Sequence, residues 1–140
     1  MKDAYVKKQI LFLCTHNSAR SQIAEGFVNA LLRDGYEAKS AGTEPGRIHK
    51  IAIQVMQEAG IDISHQRSKA INPFLNIEFD YVVTVCDNAA ELCPFFPRGK
   101  ERIHQSFPDP AAVTGSDEEK LEAFRRIRDQ IRSWIFSTFI

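Results

Sequence analysis

The stretch from Lys7 to Glu25, KKQILFLCTHNSARSQIAE, constrains this chain more than any other. It begins with an apolar run, Ile10-Leu11-Phe12-Leu13, that reads as a buried strand. It ends in Ser21-Gln22-Ile23-Ala24-Glu25, which reads as the first turns of a helix. Between them lies Cys14-Thr15-His16-Asn17-Ser18-Ala19-Arg20-Ser21. A short loop from a strand end to a helix start points backbone N–H groups inward and makes an anion site, which the helix dipole reinforces. Arg20 adds a permanently charged planar fork suited to the oxygens of a tetrahedral oxyanion. Cys14 stands where the loop opens, so the field that holds an anion also favours its thiolate. The plainer alternative is a buried strand-end cysteine followed by an ordinary helix cap.

The remaining composition bounds the problem. With 140 residues the chain is expected to form one domain, residues 1–140, with a proper core. Lys plus Arg and Asp plus Glu both number 18, which gives no basic excess for general nucleic-acid binding. No run of apolar residues is long enough to predict a membrane-spanning helix, and the short N-terminal apolar run lacks a signal-peptide cleavage site. Three cysteines are an odd number, which points away from a disulfide framework and toward reduced, chemically active thiols in a cytoplasm. Zinc is a poor fit: no C-x2-C pair occurs, and His16, His49, His65 and His104 are scattered.

Along the chain, Ser18 or Asn17 is expected to cap a helix running to about Arg33, closed by Asp34-Gly35. Tyr36 to Ala41 is a candidate strand, and His49 to Ala59 a second helix stopped by Gly60. Pro73-Phe74-Leu75 suggests one helical turn. Phe79 to Cys86 is a clear β-branched and aromatic strand, followed by a helix-permitting segment, Asp87 to Cys93, that Pro94 and Pro97 limit. Arg102 to Phe107 reads as a fourth strand and Pro108-Asp109-Pro110 as a rigid turn. A long helix opens at Asp117, with acidic residues first and arginines later, and leads into an apolar tail expected to pack on the domain. Strands alternating with helices predict an α/β fold: a single-domain four-stranded parallel sheet with helices on both faces. Ligands in such folds bind beyond the carboxyl ends of the strands, where Cys14, Cys86 and Asp109 all fall.

Those residues define the candidate chemistry. Asp109, with its backbone fixed between prolines, is the best general acid for a leaving oxygen, although Pro-Asp-Pro also serves as a plain turn. Ser21 can donate to a Cys14 thiolate, cap the helix, or both. A hydrolase needs only Cys14, Arg20 and Asp109. A reductase needs two electrons, which Cys86 and Cys93 can supply by forming a disulfide. In a helix their Cα atoms would stand about 10 Å apart, against about 4.4–6.8 Å for a disulfide. Oxidation would therefore have to remodel residues 87–93.

These residues closely resemble the arsenate reductases that share the low-molecular-weight tyrosine phosphatase fold. The markers span nearly the whole chain: Cys14 through Gly26, Ser40-Ala41-Gly42, Gly60-Ile61-Asp62-Ile63-Ser64, Thr84 through Ala89, Cys93-Pro94 and Asp109-Pro110-Ala111. The resemblance implies that Cys14 attacks arsenate held by Thr15, His16, Asn17, Ser18, Ala19 and Arg20 while Asp109 protonates the departing oxygen. It implies that Cys86 then attacks Cys14 with release of arsenite, that Cys93 resolves the resulting disulfide to Cys86–Cys93, and that thioredoxin reduces that bond. Phosphate or sulfate would bind as arsenate analogues, no organic cofactor is needed, and the protein is expected to be a cytoplasmic monomer. In some relatives a potassium ion near the loop is held by residues that align with Asn17, Glu25, Ser40 and Asp62, and all four residue types are present.

The chain also departs from that pattern. His16 stands where many relatives have Gly. Ala19 replaces the second loop cysteine of many phosphatases of this fold. Ala111 and Ala112 follow Asp109-Pro110 where such phosphatases often carry an aromatic. Two other readings therefore stand beside arsenate reduction: a tyrosine phosphatase acting on aryl phosphates, and a non-catalytic redox sensor that binds an oxyanion.

Overall fold

The computed structural model describes residues 6–87 and 96–140. Four parallel strands, β1 (Lys8–Cys14), β2 (Tyr36–Gly42), β3 (Phe79–Thr84) and β4 (Gly99–His104), form one sheet in the order β2-β1-β3-β4. Three helices accompany them: α1 (Arg20–Leu31), α2 (Lys50–Glu58) and α3 (Asp117–Phe139). β1 is central. It pairs with β2 from Lys8↔Tyr36 to Cys14↔Gly42 and with β3 from Ile10↔Tyr81 to Leu13↔Thr84.

Central placement explains the unbroken apolar run. Side chains alternate across a strand, so Ile10, Phe12 and Cys14 enter one core cluster while Leu11 and Leu13 enter the other. All three described helices serve the first face, through Ile23 and Phe27 of α1, Val55 and Met56 of α2, and Phe124, Ile127, Ile131 and Ile135 of α3. The second face is covered differently. Among the described residues, Ile71, Phe74 and Phe96 meet Leu11, Leu13 and Val82, with Phe74 carried by a 3-10 turn, Asn72–Phe74. The Phe79 ring bridges Phe74 and Phe96 at centroid distances of 6.2 and 5.8 Å.

Several boundaries differ from the sequence-based expectation. β3 ends at Thr84 rather than Cys86, although the Val85 N–H still donates to Leu13 O at 2.9 Å. β4 occupies Gly99–His104 rather than residues 102–107, because pairing with β3 runs from Phe79↔Gly99 to Thr84↔His104. A side chain at residue 99 would collide with Val82, so glycine fits that strand start. α1 starts at Arg20 with Ala19 as its N-cap residue and no side-chain cap, so neither Ser18 nor Asn17 caps it. Asn17 instead takes a left-handed backbone (φ 50), which asparagine tolerates better than most residues, and spends its side chain elsewhere. The expected helix-permitting segment from Asn88 to Cys93 lies outside the described residues.

The apolar tail is the last part of α3. Ile135 and Phe139 are buried, and the Phe139 ring lies edge-on to Tyr36, Tyr81 and Trp134 at 5.4, 5.2 and 5.8 Å. Its other end carries a full capping box between Ser116 and Glu119. Among the described residues no helix is long and apolar enough to cross a membrane.

The fold brings the end of β2 hard against the loop after β1. A Cβ on Gly42 would stand 2.5 Å from Thr15 O, 2.8 Å from Cys14 O and 2.9 Å from Asn17 N, all backbone atoms that cannot swing aside. Gly42→Ala is expected to destabilise the protein by about 1–3 kcal/mol in chemical denaturation and to weaken anion binding along with it. Native stability with native phosphate affinity in this variant would refute that packing.

Candidate active site

The loop from Cys14 to Arg20 is pinned from outside. Thr15 O accepts the Glu44 N–H at 2.9 Å, His16 O the Ser68 hydroxyl at 2.9 Å, Asn17 O the Gln22 side-chain amide at 3.0 Å, and Ser18 O the His49 N–H at 3.0 Å. Four successive carbonyls therefore face the scaffold. In a trans peptide the next N–H points opposite to the carbonyl. The N–H groups of His16, Asn17, Ser18 and Ala19 are thereby turned toward the loop interior. The N-terminus of α1, uncapped by any side chain, adds its dipole to the same point.

Cys14 is buried and not disulfide-bonded. Its Sγ lies 2.8 Å from Ser21 Oγ. The direction of that hydrogen bond follows from its neighbours. Asn17 Oδ1 accepts from the Lys69 N–H at 2.7 Å and from Gln22 Nε2 at 2.9 Å, which fixes the orientation of the amide. Asn17 Nδ2 must then donate to Ser21 Oγ, at 2.8 Å. With that lone pair taken, the Ser21 hydroxyl hydrogen is free to point at sulfur, where it stabilises a thiolate. Ser21 Oγ can therefore donate its hydrogen to Cys14 Sγ when the sulfur is a thiolate, and no side chain caps α1.

Arg20 and Asp109 complete the rim. The Arg20 side chain is almost fully buried; its Nη1 donates to Phe107 O at 3.1 Å and its Nη2 stands 3.8 Å from Asp109 Oδ2. Asp109 Oδ1 accepts the Ala111 N–H at 2.9 Å, so the prolines and this turn aim Oδ2 toward Arg20. His49, the N-cap residue of α2, lies against Phe124, and burial pushes its imidazole below the ordinary histidine range while the charge of Asp109 pulls it back up. His16 is exposed at the loop mouth, with Nδ1 3.2 Å from Glu44 O.

Cys86 joins the same buried cluster as Cys14, just beyond the end of β3. It is disulfide-bonded, and Cys14 is not its partner. Cys93 lies outside the described residues. A buried free thiol and an oxidised one therefore leave adjacent strands at one sheet edge, beside the Cys14–Arg20 loop.

The residues aligned with potassium ligands are arranged differently. Glu25 accepts the Ser40 hydroxyl and faces the Lys69 ammonium at 3.7 Å. Burial raises the Glu25 carboxyl above the usual range, opposed by Ser40 and Lys69, while burial lowers Lys69, opposed by Glu25. Asn17 Oδ1 already holds two N–H donors, and Asp62 Oδ1 caps the Ser64 N–H at 2.8 Å. Among the described residues no group of three or more His, Cys, Asp or Glu is placed to hold a metal. As arranged, Asn17 Oδ1, Glu25 Oε1 and Asp62 Oδ1 each accept a protein donor and the Lys69 ammonium stands beside Glu25, a poor fit for a resident cation. Sequence alone assigns no role at the loop to Lys69, Ser68 or His49, and marks Gln22 only as part of a motif. Each acts on the loop from 5 to 52 residues away or through its backbone, and no local pattern marks such a contact.

The comparisons agree with this geometry. The model of the family described as low molecular weight phosphotyrosine protein phosphatase matches residues 9–136. An arsenate reductase of Halalkalibacterium halodurans is 50% identical over 125 residues, 89% of this chain and 90% of that protein. A solved arsenate reductase in a phosphate-binding state superimposes with a TM-score of 0.76 at 33% identity, over 93% of this chain and 95% of the other. A Corynebacterium glutamicum thioredoxin-dependent arsenate reductase superimposes with a TM-score of 0.65 at 28% identity, over 97% of this chain and 64% of the other. With a pinned anion loop between β1 and α1, an arginine at its close and a family match over nearly its whole length, the chain belongs to the low molecular weight phosphotyrosine protein phosphatase family.

Proposed function

We propose that this protein reduces arsenate to arsenite through a thiol–disulfide relay: Cys14 as nucleophile, Cys86 and then Cys93 as resolving thiols, and thioredoxin as the reductant. One observation carries the reading. Cys14 and Cys86 leave neighbouring parallel strands into one buried cluster, the first a free thiol and the second disulfide-bonded. A hydrolase has no use for an oxidisable thiol there. The arsenate reductases among its relatives support the same reading.

The chemistry follows from the geometry. Arsenate sits on the inward N–H groups with Arg20 beside it. The Cys14 thiolate attacks arsenic, and Asp109 Oδ2 protonates the oxygen that leaves as water. The product is a Cys14–As(V) ester. Cys86 thiolate then attacks Cys14 Sγ. An S–S bond forms, the S–As bond breaks, and its electron pair passes to arsenic, which departs as arsenite. Cys93 attacks Cys86 Sγ in the Cys14–Cys86 disulfide, returning Cys14 to its thiolate and leaving Cys86–Cys93. A dithiol of the thioredoxin class exchanges with that bond and carries off the two electrons' worth of oxidation. Cys14 free with Cys86 oxidised is the pattern expected once Cys93 has acted.

Three outcomes test this. In arsenate-dependent NADPH consumption with thioredoxin and thioredoxin reductase, Cys14→Ser, Cys86→Ser and Cys93→Ser should each abolish turnover, while Cys93→Ser still releases one arsenite per chain. Turnover at the native rate in Cys86→Ser would defeat the relay. Aryl phosphate hydrolysis that needs Cys14 and Asp109 but runs at the native rate in Cys86→Ser, with no arsenate turnover by the native chain, would favour the phosphatase reading instead. Asp109→Asn should lower the rate of the first step by about 10²–10⁴-fold in single-turnover measurements. Ser21→Ala should slow alkylation of Cys14 at neutral pH by about tenfold, the worth of one hydrogen bond to a charged group.

A further inference from the structure

We propose that Lys69 is a positioning residue whose tethered ammonium takes the place of an alkali cation behind the anion loop, so that this protein's Cys14 site works without potassium. The proposal rests on the reading of Cys14 as the nucleophile.

The Glu25 side chain is only 12% exposed, and a carboxylate that buried needs a counter-charge. Lys69 supplies it. Its Nζ stands 3.7 Å from Glu25 Oε1 and donates to Arg67 O at 2.7 Å. The ammonium thus gathers one carboxylate and one carbonyl oxygen, the mixture of ligands that a hard monovalent cation would collect. A cation arriving beside Glu25 would meet a fixed positive charge at close range.

The same residue reaches the nucleophile through its backbone. Its N–H donates to Asn17 Oδ1 at 2.7 Å, and its carbonyl accepts the Gly42 N–H at 2.9 Å. The first contact orients Asn17, which donates to Ser21, which in turn is left to donate to Cys14 Sγ at 2.8 Å. Anchoring the Lys69 side chain on Glu25 therefore holds the peptide that orders this chain of hydrogen bonds. A cleft of about 500 Å³ is bordered by Glu25, Asp62, Gln66 and Lys69. Ions in solution consequently have access to Glu25, and indifference to potassium would reflect an occupied position and not a closed one.

The test measures alkylation of Cys14 by iodoacetamide in the full chain, followed by peptide mass spectrometry, in potassium chloride and in choline chloride at equal ionic strength. The native rate should differ by less than about twofold between the salts. Lys69→Met should be slowed about fivefold in choline, the worth of roughly one hydrogen bond, and should recover most of that rate in potassium. A native chain accelerated by potassium overturns the proposal. So does Lys69→Met with native rates in both salts, or with equal loss in both. Should Lys69→Met not fold, Lys69→Asp decides, since it exchanges the ammonium for a coordinating carboxylate. Its melting temperature should be higher in potassium than in choline, and equal melting overturns the proposal. Alkylation needs neither arsenate nor a reductant, so a failure of the cysteine relay leaves this readout untouched.

Discussion

Four consecutive peptide carbonyls turned outward are what the site depends on. An isolated loop would leave its carbonyls and N–H groups equally free to face either way, and an anion would find as many repulsive oxygens as attractive hydrogens. Here Glu44, Ser68, Gln22 and His49 take the oxygens of Thr15, His16, Asn17 and Ser18. The N–H groups have no choice but the interior. The organisation is made at folding, so none has to be supplied when an anion arrives, which is the condition under which such donors act most strongly. Gly42 belongs to the same device. Its missing side chain lets β2 press on the loop closely enough for these contacts to form.

The second dependence is on the order of strands. β1 and β3 are far apart in sequence yet adjacent in the sheet, and parallel pairing brings their carboxyl ends to one edge. Cys14 and Cys86 follow from that adjacency. Asp109 arrives the same way, because the turn after β4 carries it back to 3.8 Å from Arg20. Adjacent parallel strands and short connections thus convert three distant segments into one rim. The apolar side chains of the cluster on the helical face, from Phe12 through Phe27 to Phe124 and Ile131, pack together with Cys14 and Cys86 behind that rim.

Much of this was legible in the sequence, for a physical reason in each case. The Ile10–Leu13 run had to be buried on both faces, and it forms the central strand. The Cys14–Arg20 loop was visible because its parts are contiguous: strand, loop, arginine and helix follow one another without interruption from Lys8 to Leu31. Less legible was anything set by pairing. The ends of β3 and β4 moved because ladder register, not β-propensity, decides where a strand stops. The expectation that Ser18 or Asn17 caps α1 fails at Asn17 because capping is only a local preference. In the folded chain the Lys69 N–H and the Gln22 amide compete for its oxygen and win.

The sequence by itself determined the parallel α/β class, the loop between β1 and α1 with its cysteine and arginine, and the number and spacing of the cysteines. Each follows from periodicity, composition or close spacing along the chain. Only the tertiary structure decided which way the loop peptides face, that Ser21 Oγ stands within hydrogen-bond reach of Cys14 Sγ, and that Lys69 stands against Glu25. Those outcomes hang on single hydrogen bonds and one ion pair between segments up to 52 residues apart. The direction of a hydrogen bond is set by what else its two partners must satisfy, and that is known only once the chain has closed around them.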